Sequence, residues 1–229
     1  GIVLNDLQRY DLAVDSYRSA IDIDPHFAKA HNNLAVVLNE LGQYENAIKS
    51  CKLALDYEPL YIEAYYNLGI ALDARDKTNE AILNYKKAIV VQPNFSDAHN
   101  NLGNIYRFLS AYDKAIKHFD RSSNAMAPAS SLECLYMGQK YGILSNRIKK
   151  TASSENIDIR ASASSAFMCN QLNWENPDPF CKNPLDFLFI TNLHSYFTKI
   201  SNLANDIIKE LDSHHLGWET RTTKNGFQS

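Results

Sequence analysis

Residues 28–59 read AKAHNNLAVVLNELGQYENAIKSCKLALDYEP, and the same pattern returns as IEAYYNLGIALDARDKTNEAILNYKKAIVVQP at 62–93 and SDAHNNLGNIYRFLSAYDKAIKHFDRSSNAMA at 96–127. Residues of three types recur in these copies at a spacing of 34: Pro25, Pro59 and Pro93; Ala30, Ala64 and Ala98; Leu34, Leu68 and Leu102. A fixed period of this length is typical of a repeat array. The chain is therefore predicted to fold as stacked copies of one small unit.

Each copy contains two runs whose apolar residues recur at helical spacing. In the first quoted copy, Leu34 and Leu38 mark one helical face, and Ala47 and Cys51 mark a second. The proline between copies lacks an amide hydrogen and ends each helix pair. The predicted fold is an all-α superhelix of antiparallel helix pairs with one concave side. Small residues are expected to face each other where the two helices cross: Ala35, Gly69 and Gly103 on the first helix, and Ala47, Ala81 and Ala115 on the second.

The period of 34 and the N-L-G triplets at 67–69 and 101–103 resemble the tetratricopeptide repeat (TPR) array of O-linked N-acetylglucosamine transferases. The resemblance covers residues 1 to about 127. It implies a TPR superhelix whose matching asparagines hold a substrate peptide: Asn33, Asn67 and Asn101. Nothing that resembles the glycosyltransferase domain follows.

The composition is that of an ordinary globular protein, with 229 residues, 45% hydrophobic residues and a formal net charge of −3. No basic run predicts nucleic-acid binding, and no apolar run reaches the ~18 to 20 residues that span a bilayer. The four cysteines show no C-x-x-C spacing. A reducing, cytoplasmic setting is therefore expected.

The period also divides the chain into segments. Gly1 falls where the middle of a first helix is expected, so the chain is interpreted as a fragment of a longer protein. After residue 127 the period decays, although helical patterning continues and Gly138 and Gly142 interrupt it. The expected segments are TPR repeats at 1–127, a degenerate hairpin with a closing helix at 128–172, a proline-rich linker at 173–184, and the start of an α+β domain at 185–229.

The polar residues of the first helices are the candidate peptide-binding site. A primary amide carries both a donor and an acceptor, which suits an extended peptide backbone. The alternative is that these asparagines bridge adjacent repeats or favour the first turns of a helix. The predicted peptide-binding residues are Asn32, Asn33, Tyr66, Asn67, Asn100, Asn101, Asn104 and Arg107.

No catalytic residue, cofactor site or metal site is predicted in these 229 residues. His118 and Asp120 have H-x-D spacing, but Phe119 lies on a core position, so the two side chains are expected to diverge. His31 and His99 share one repeat position and are interpreted as packing residues. His214 and His215 end a late helix, where a cationic imidazole is favourable.

The last 45 or so residues resemble the start of an Fe(II)- and 2-oxoglutarate-dependent oxygenase domain found after TPR arrays in bacterial proteins. The residues that carry the resemblance are Trp218, Thr222, Thr223, Gly226 and Gln228. It implies that Fe(II) and 2-oxoglutarate would bind in the full-length protein, at ligands beyond Ser229.

Two hypotheses follow. The first is a protein interaction module that binds a peptide or partner protein in a TPR groove, with no nucleic acid and no membrane involved. The second is the substrate-recruiting or dimerising region of an oxygenase, so whether the parent protein is an enzyme stays open, as does a homodimer.

Overall fold

The computed structural model describes residues 1–153 and 158–177. These residues belong to one unit, Gly1–Pro184, and the second unit, Leu185–Ser229, lies outside them, as does the predicted α+β segment. The described part contains these helices: α1 (Ile2–Asp6), α2 (Tyr10–Ile23), α3 (Ala28–Glu40), α4 (Tyr44–Tyr57), α5 (Ile62–Asp73), α6 (Thr78–Val91), α7 (Ser96–Phe108), α8 (Tyr112–Phe119), α9 (Ala127–Met137), α10 (Tyr141–Ala152) and α11 (Ile159–Gln171).

The helices pair in sequence order, as the period predicts. Helix α3 packs on α4, α5 on α6 and α7 on α8, and each pair packs on the next. Helix α3 also packs on α5, so the first helices of successive copies are neighbours. The prediction of an all-α superhelix built from antiparallel helix pairs is confirmed for the described residues.

The turn between the two helices of each pair contains one residue in the left-handed backbone region. Its φ angle is 56° at Gln8, 69° at Gly42, 58° at Asp76 and 56° at Ser110, positions that are 34 residues apart. The amide after each such residue donates back to the ending helix, as from Gln43 to the Leu38 carbonyl at 2.8 Å. This is the αL helix stop, which satisfies a terminal carbonyl and turns the chain sharply.

Gly42 and Gly142 form a matched pair for testing this turn, because a Cβ added at either would meet no atom within 4 Å. We expect Gly42→Ala to lower the free energy of unfolding by about 1 kcal/mol, since only Gly42 has a left-handed backbone. Gly142→Ala is expected to raise it by roughly 0.5 kcal/mol, since Gly142 lies inside α10. Urea denaturation of both variants measures the difference, and equal effects would contradict it.

In the second and third quoted copies, the crossing within the helix pair is filled by a glycine and an aromatic ring. A Cβ added at Gly69 would lie 2.6 Å from the ring of Tyr85, and one added at Gly103 would lie 2.6 Å from the ring of Phe119. The nearest atoms therefore belong to these rings and not to the alanines that the sequence pattern had suggested. The glycines make room for a bulky partner on the second helix.

The first quoted copy uses a different combination at the same place. Ala35 stands where the later copies have glycine, and Cys51 stands where they have an aromatic residue. Both are completely buried. The larger residue on the first helix is thus accompanied by a smaller one on the second.

A side chain in each first helix also holds the proline-containing loop that precedes it. The ring nitrogen Nε2 of His31 and of His99, and the hydroxyl of Tyr65, donate to the carbonyl of the proline six residues earlier. The distances are 2.9, 3.0 and 3.0 Å to Pro25, Pro93 and Pro59 respectively. The two histidines therefore hold the loop between helix pairs in place by a hydrogen bond, in addition to their predicted packing role.

Helix α8 is shorter than its counterparts, with 8 residues where α2, α4 and α6 have 14. Serine hydroxyls replace helical bonds at its end. The Oγ of Ser96 lies 3.2 Å from the Oγ of Ser122 and accepts from the amide of Ser123 at 2.9 Å. The Oγ of Ser122 also accepts from the amide of Asn124 at 3.1 Å, and a local bond of this kind competes with helix continuation.

A second small core joins α9, α10 and α11 and includes Leu132, Leu144 and Met168. Gly138 caps α9, whereas Gly142 lies within α10 and does not interrupt it, which corrects the sequence-based expectation. Cys51, Cys134 and Cys169 are buried free thiols, and Cys181 lies outside the described residues. None of the described helices is long and apolar enough to cross a bilayer.

Candidate functional site

The candidate site lies on the face that α3, α5 and α7 present away from their paired helices, here called the inner face. It comprises the predicted peptide-binding residues together with Ile70 and Asp73 of α5. Helical spacing places these residues on one side of each first helix, because the other side packs on α4, α6 or α8.

Asn101 of α7 reaches back to the preceding copy. Its Nδ2 donates to the Tyr85 hydroxyl at 3.3 Å and lies 3.5 Å from the Tyr66 hydroxyl. Tyr66 also packs edge-on against Phe95, with ring centroids 5.2 Å apart. Burial raises the pKa of Tyr66, with a further contribution from Asp97, so the hydroxyl stays neutral and available for hydrogen bonding.

Asn67 of α5 makes the equivalent contact one copy earlier. Its Nδ2 donates to Oδ1 of Asn32 at 2.9 Å, and both side chains are buried. Asn39 of α3 donates to the backbone carbonyl of Asn67 at 3.2 Å. In both copies an asparagine amide thus reaches a residue 35 positions earlier: from Asn67 to Asn32, and from Asn101 to Tyr66.

The remaining predicted residues differ in whether their side chains form hydrogen bonds or ion pairs with the described residues. Asn33, Asn100 and Asn104 are half-buried, and no hydrogen bond from their amides is found in residues 1–153 and 158–177. Arg107 forms an ion pair with Glu133 of α9 at 2.6 Å. The amide oxygen of Asn101 likewise accepts no hydrogen bond from the described residues.

A depression of about 350 Å³ opens on the inner face between α5 and α7, and it is called the α5–α7 depression. Its lining combines apolar, amide, phenol and carboxylate groups: Ile70, Asp73, Ala74, Tyr85, Asn101 and Asn104. Burial raises the pKa of Asp73, with a smaller contribution from Asp76. Pockets with apolar walls and a few polar groups are typical ligand sites.

The inner face brings the predicted residues together in two groups. Asn32 and Asn67 bond to each other, whereas Asn101 and Asn104 line the depression and Tyr66 contacts Asn101. The alternative that the asparagines bridge adjacent repeats describes the contacts of Asn67 and Asn101. Their peptide-binding role stays a prediction.

Tyr85 belongs to the candidate site although it is not among the predicted peptide-binding residues. Its ring is 1% exposed, yet its hydroxyl contacts Asn101 and it lines the depression. Its signal in the sequence is the aromatic residue that recurs opposite a glycine at Tyr17, Tyr85 and Phe119. At that position, a tyrosine keeps its ring in the core and places its hydroxyl at the inner face.

His118 and Asp120 point to different partners, as predicted from the core position between them. Nδ1 of His118 lies 2.9 Å from Nδ1 of His99, whereas Asp120 accepts from Arg147 and from Ser131. Burial lowers the pKa of His118 to about 4, with further lowering by His99 and by nearby cations. His118 is therefore neutral at physiological pH.

The fold and its inner face define the class of helical-repeat solenoids, which present a continuous surface along one side. Family models agree: "TPR repeat" matches residues 1–42 and 74–107, and "Tetratricopeptide repeat" matches residues 28–60 and 98–131. The chain contains tetratricopeptide repeats.

Solved structures show the same fold. "Crystal structure of MamA" is 24% identical, with 64% of this chain and 86% of that chain covered and a TM-score of 0.56. A Pseudomonas aeruginosa pilF structure is 18% identical, covers 93% of this chain and 94% of that chain, and has a TM-score of 0.64. Both show the fold alone. Among curated proteins no match to this chain is found.

Proposed function

We propose that this chain is a protein interaction module whose inner face binds an extended peptide segment of a partner protein. The observation that carries the proposal is the α5–α7 depression, whose polar lining retains unused hydrogen-bonding capacity. The oxygen of Asn101 and the whole amide of Asn104 accept or donate nothing within the described residues. An extended peptide offers backbone N–H and C=O groups that can occupy them.

The TPR scaffold supports a partner of this kind. Each helix pair contributes one further strip to the inner face, so a long, narrow ligand can contact several copies at once. The two amides beside the depression also differ in use: Asn101 braces the neighbouring copy, whereas Asn104 has no partner in the described part of the chain.

Asn104→Ala tests the proposal. We expect it to weaken binding of a groove-bound peptide about three- to tenfold, because a net hydrogen bond contributes roughly 0.5 to 1.5 kcal/mol. The melting temperature should stay unchanged, since no intramolecular hydrogen bond is lost. Asn79→Ala is the matched control, because Asn79 is an exposed asparagine on α6. Fluorescence polarisation of a selected peptide measures both, and equal affinities for the two variants would contradict the proposal.

Asn67→Ala is a poorer probe than the sequence suggests. Removing its amide leaves the buried Oδ1 of Asn32 without its donor. A buried polar group that loses its partner costs about 1 to 3 kcal/mol. Lost binding in that variant would therefore mix with lost stability.

The finer sequence-based assignments remain proposals. Binding of a substrate peptide by the asparagines, as the resemblance to O-linked N-acetylglucosamine transferases implies, agrees with the position of Asn101 beside the depression. The oxygenase alternative, with Fe(II) and 2-oxoglutarate as cofactors, rests on residues 185–229, which lie outside the described residues. The cytoplasmic setting and the homodimer are also hypotheses that await measurement.

A further inference from the structure

We propose that the α5–α7 depression binds the cationic side chain of a lysine or arginine in the partner peptide, with Asp73 as its counterion. The inference rests on the proposed function and adds the chemistry of the partner. It follows from three features of the depression: its size, its apolar wall and its unpaired negative charge.

The depression suits the long aliphatic stem of a basic side chain. Its apolar wall is formed by Ile70 and Ala74 of α5, and Tyr85 of α6 contributes part of the lining. Lysine and arginine bury their methylene groups along such walls and keep the charged end beside polar groups. A volume of about 350 Å³ accommodates one such side chain and the adjoining backbone.

Asp73 supplies the charge at the end of α5. Four acidic residues of the array are paired with a cation: Glu45 with Arg75, Asp113 with Lys140, Asp120 with Arg147, and Glu133 with Arg107. No such pair is found for Asp73 among the described residues. Asp73 is exposed and lines the depression, so its carboxylate is accessible to a cation of a partner.

The same repeat position is neutral or neutralised in the other copies. Asn5, Asn39 and Arg107 occupy it, and the charge of Arg107 is taken by Glu133. Asp73 is thus the unpaired charge of this series within the described residues. Asp76 adds a second negative charge near Asp73.

The groups around Asp73 make a cation the favoured occupant. Burial raises the pKa of Tyr66 and of Tyr85, with further contributions from Asp97 and Asp73 respectively. Burial also raises the pKa of Asp73, with a smaller contribution from the nearby charge of Asp76. A cationic group within ~4 to 6 Å would stabilise the carboxylate, whereas an acidic peptide would be repelled.

The donor set fits an organic cation better than a metal ion. One carboxylate and two amides fall short of the 6 to 8 oxygens that Ca²⁺ takes. Asn101 and Asn104 stand beside Asp73 in the lining and can bond the peptide backbone on either side of the basic residue.

The experiment selects ligands without assuming their sequence. A random dodecapeptide phage library is screened against the immobilised full chain, and selected peptides are labelled with fluorescein. Their dissociation constants are measured for the unmodified chain, for Asp73→Asn and for Asp56→Asn. Asp56 is the matched control, because it is an exposed aspartate on α4 that forms no ion pair with a cation of the described residues.

We expect selected peptides to share a lysine or arginine. Asp73→Asn should weaken them about tenfold or more, because hydrogen bonds to charged groups are among the stronger ones. Asp56→Asn should leave the affinity unchanged. Replacing the shared basic residue of the peptide by norleucine should weaken its binding to the unmodified chain to the same extent. The norleucine peptide should bind Asp73→Asn no more weakly than it binds the unmodified chain.

The outcomes separate this inference from the proposed function. Suppose that the selected peptides bind Asn104→Ala more weakly but carry no shared basic residue, or that they bind Asp73→Asn with unchanged affinity. Either result overturns the cationic assignment and leaves the proposed peptide-binding function standing. A screen that yields no peptide responsive to Asn104→Ala overturns both. Selection of acidic peptides also overturns the cationic assignment.

Discussion

Phe119→Ala is expected to lower the free energy of unfolding by about 3 to 5 kcal/mol, the range for removing a buried aromatic side chain. Phe119 is 2% exposed and its ring packs over Gly103. The glycine has no side chain that could move into the space left behind. Urea denaturation followed by circular dichroism at 222 nm measures the loss.

Phe108→Ala is the matched control for that experiment. Phe108 is the last residue of α7 and is 87% exposed. Its replacement should change the free energy of unfolding by about 0.5 kcal/mol or less. Similar losses of unfolding free energy in the two variants would contradict the role of Phe119 in packing its helix pair.

Gly69→Ala is expected to lower the free energy of unfolding by about 1 to 3 kcal/mol, as overpacking does in a filled core. The added Cβ would lie 2.6 Å from the ring of Tyr85, which is 1% exposed. Gly142→Ala introduces the same methyl group into open space and is the control. A destabilisation no larger than that of the control would contradict the packing.

The pair of Ala35 and Cys51 suggests how the clash can be relieved. Gly69→Ala combined with Tyr85→Cys recreates that pair in the next copy. Tyr85→Cys alone should be strongly destabilising because it leaves a cavity. The double variant should be more stable than the sum of the two losses by about 1 to 3 kcal/mol, which a double-mutant cycle measures. Strict additivity would show that the two positions do not share one space.

The fold could be predicted because the residues that determine it recur at a constant spacing within each short copy. Leu34 and Ala47 return every 34 residues, so each copy repeats the same helix pair. The left-handed turns were harder to see. Only Gly42 among the four equivalent residues is a glycine, and Gln8, Asp76 and Ser110 give no such signal alone. The backbone of the flanking helices imposes the conformation there.

The candidate site could be predicted in position but not in detail. Phase alone places Asn101 and Asn104 on the inner face. The bond from Asn101 to the Tyr85 hydroxyl depends on how closely α6 and α7 approach, which no residue spacing specifies. The position of Asp73 in the lining of the depression, without a cation partner among the described residues, likewise depends on the packing of α5 against its neighbours.

The backward-reaching side-chain bonds have a mechanical consequence. From Asn67 to Asn32 and from Asn101 to Tyr66, they connect α5 to α3 and α7 to α5 along the inner face. These contacts hold neighbouring first helices together without a ligand. For the proposed peptide partner, association would then spend little free energy on ordering the helices, and most of the entropy loss would fall on the flexible peptide.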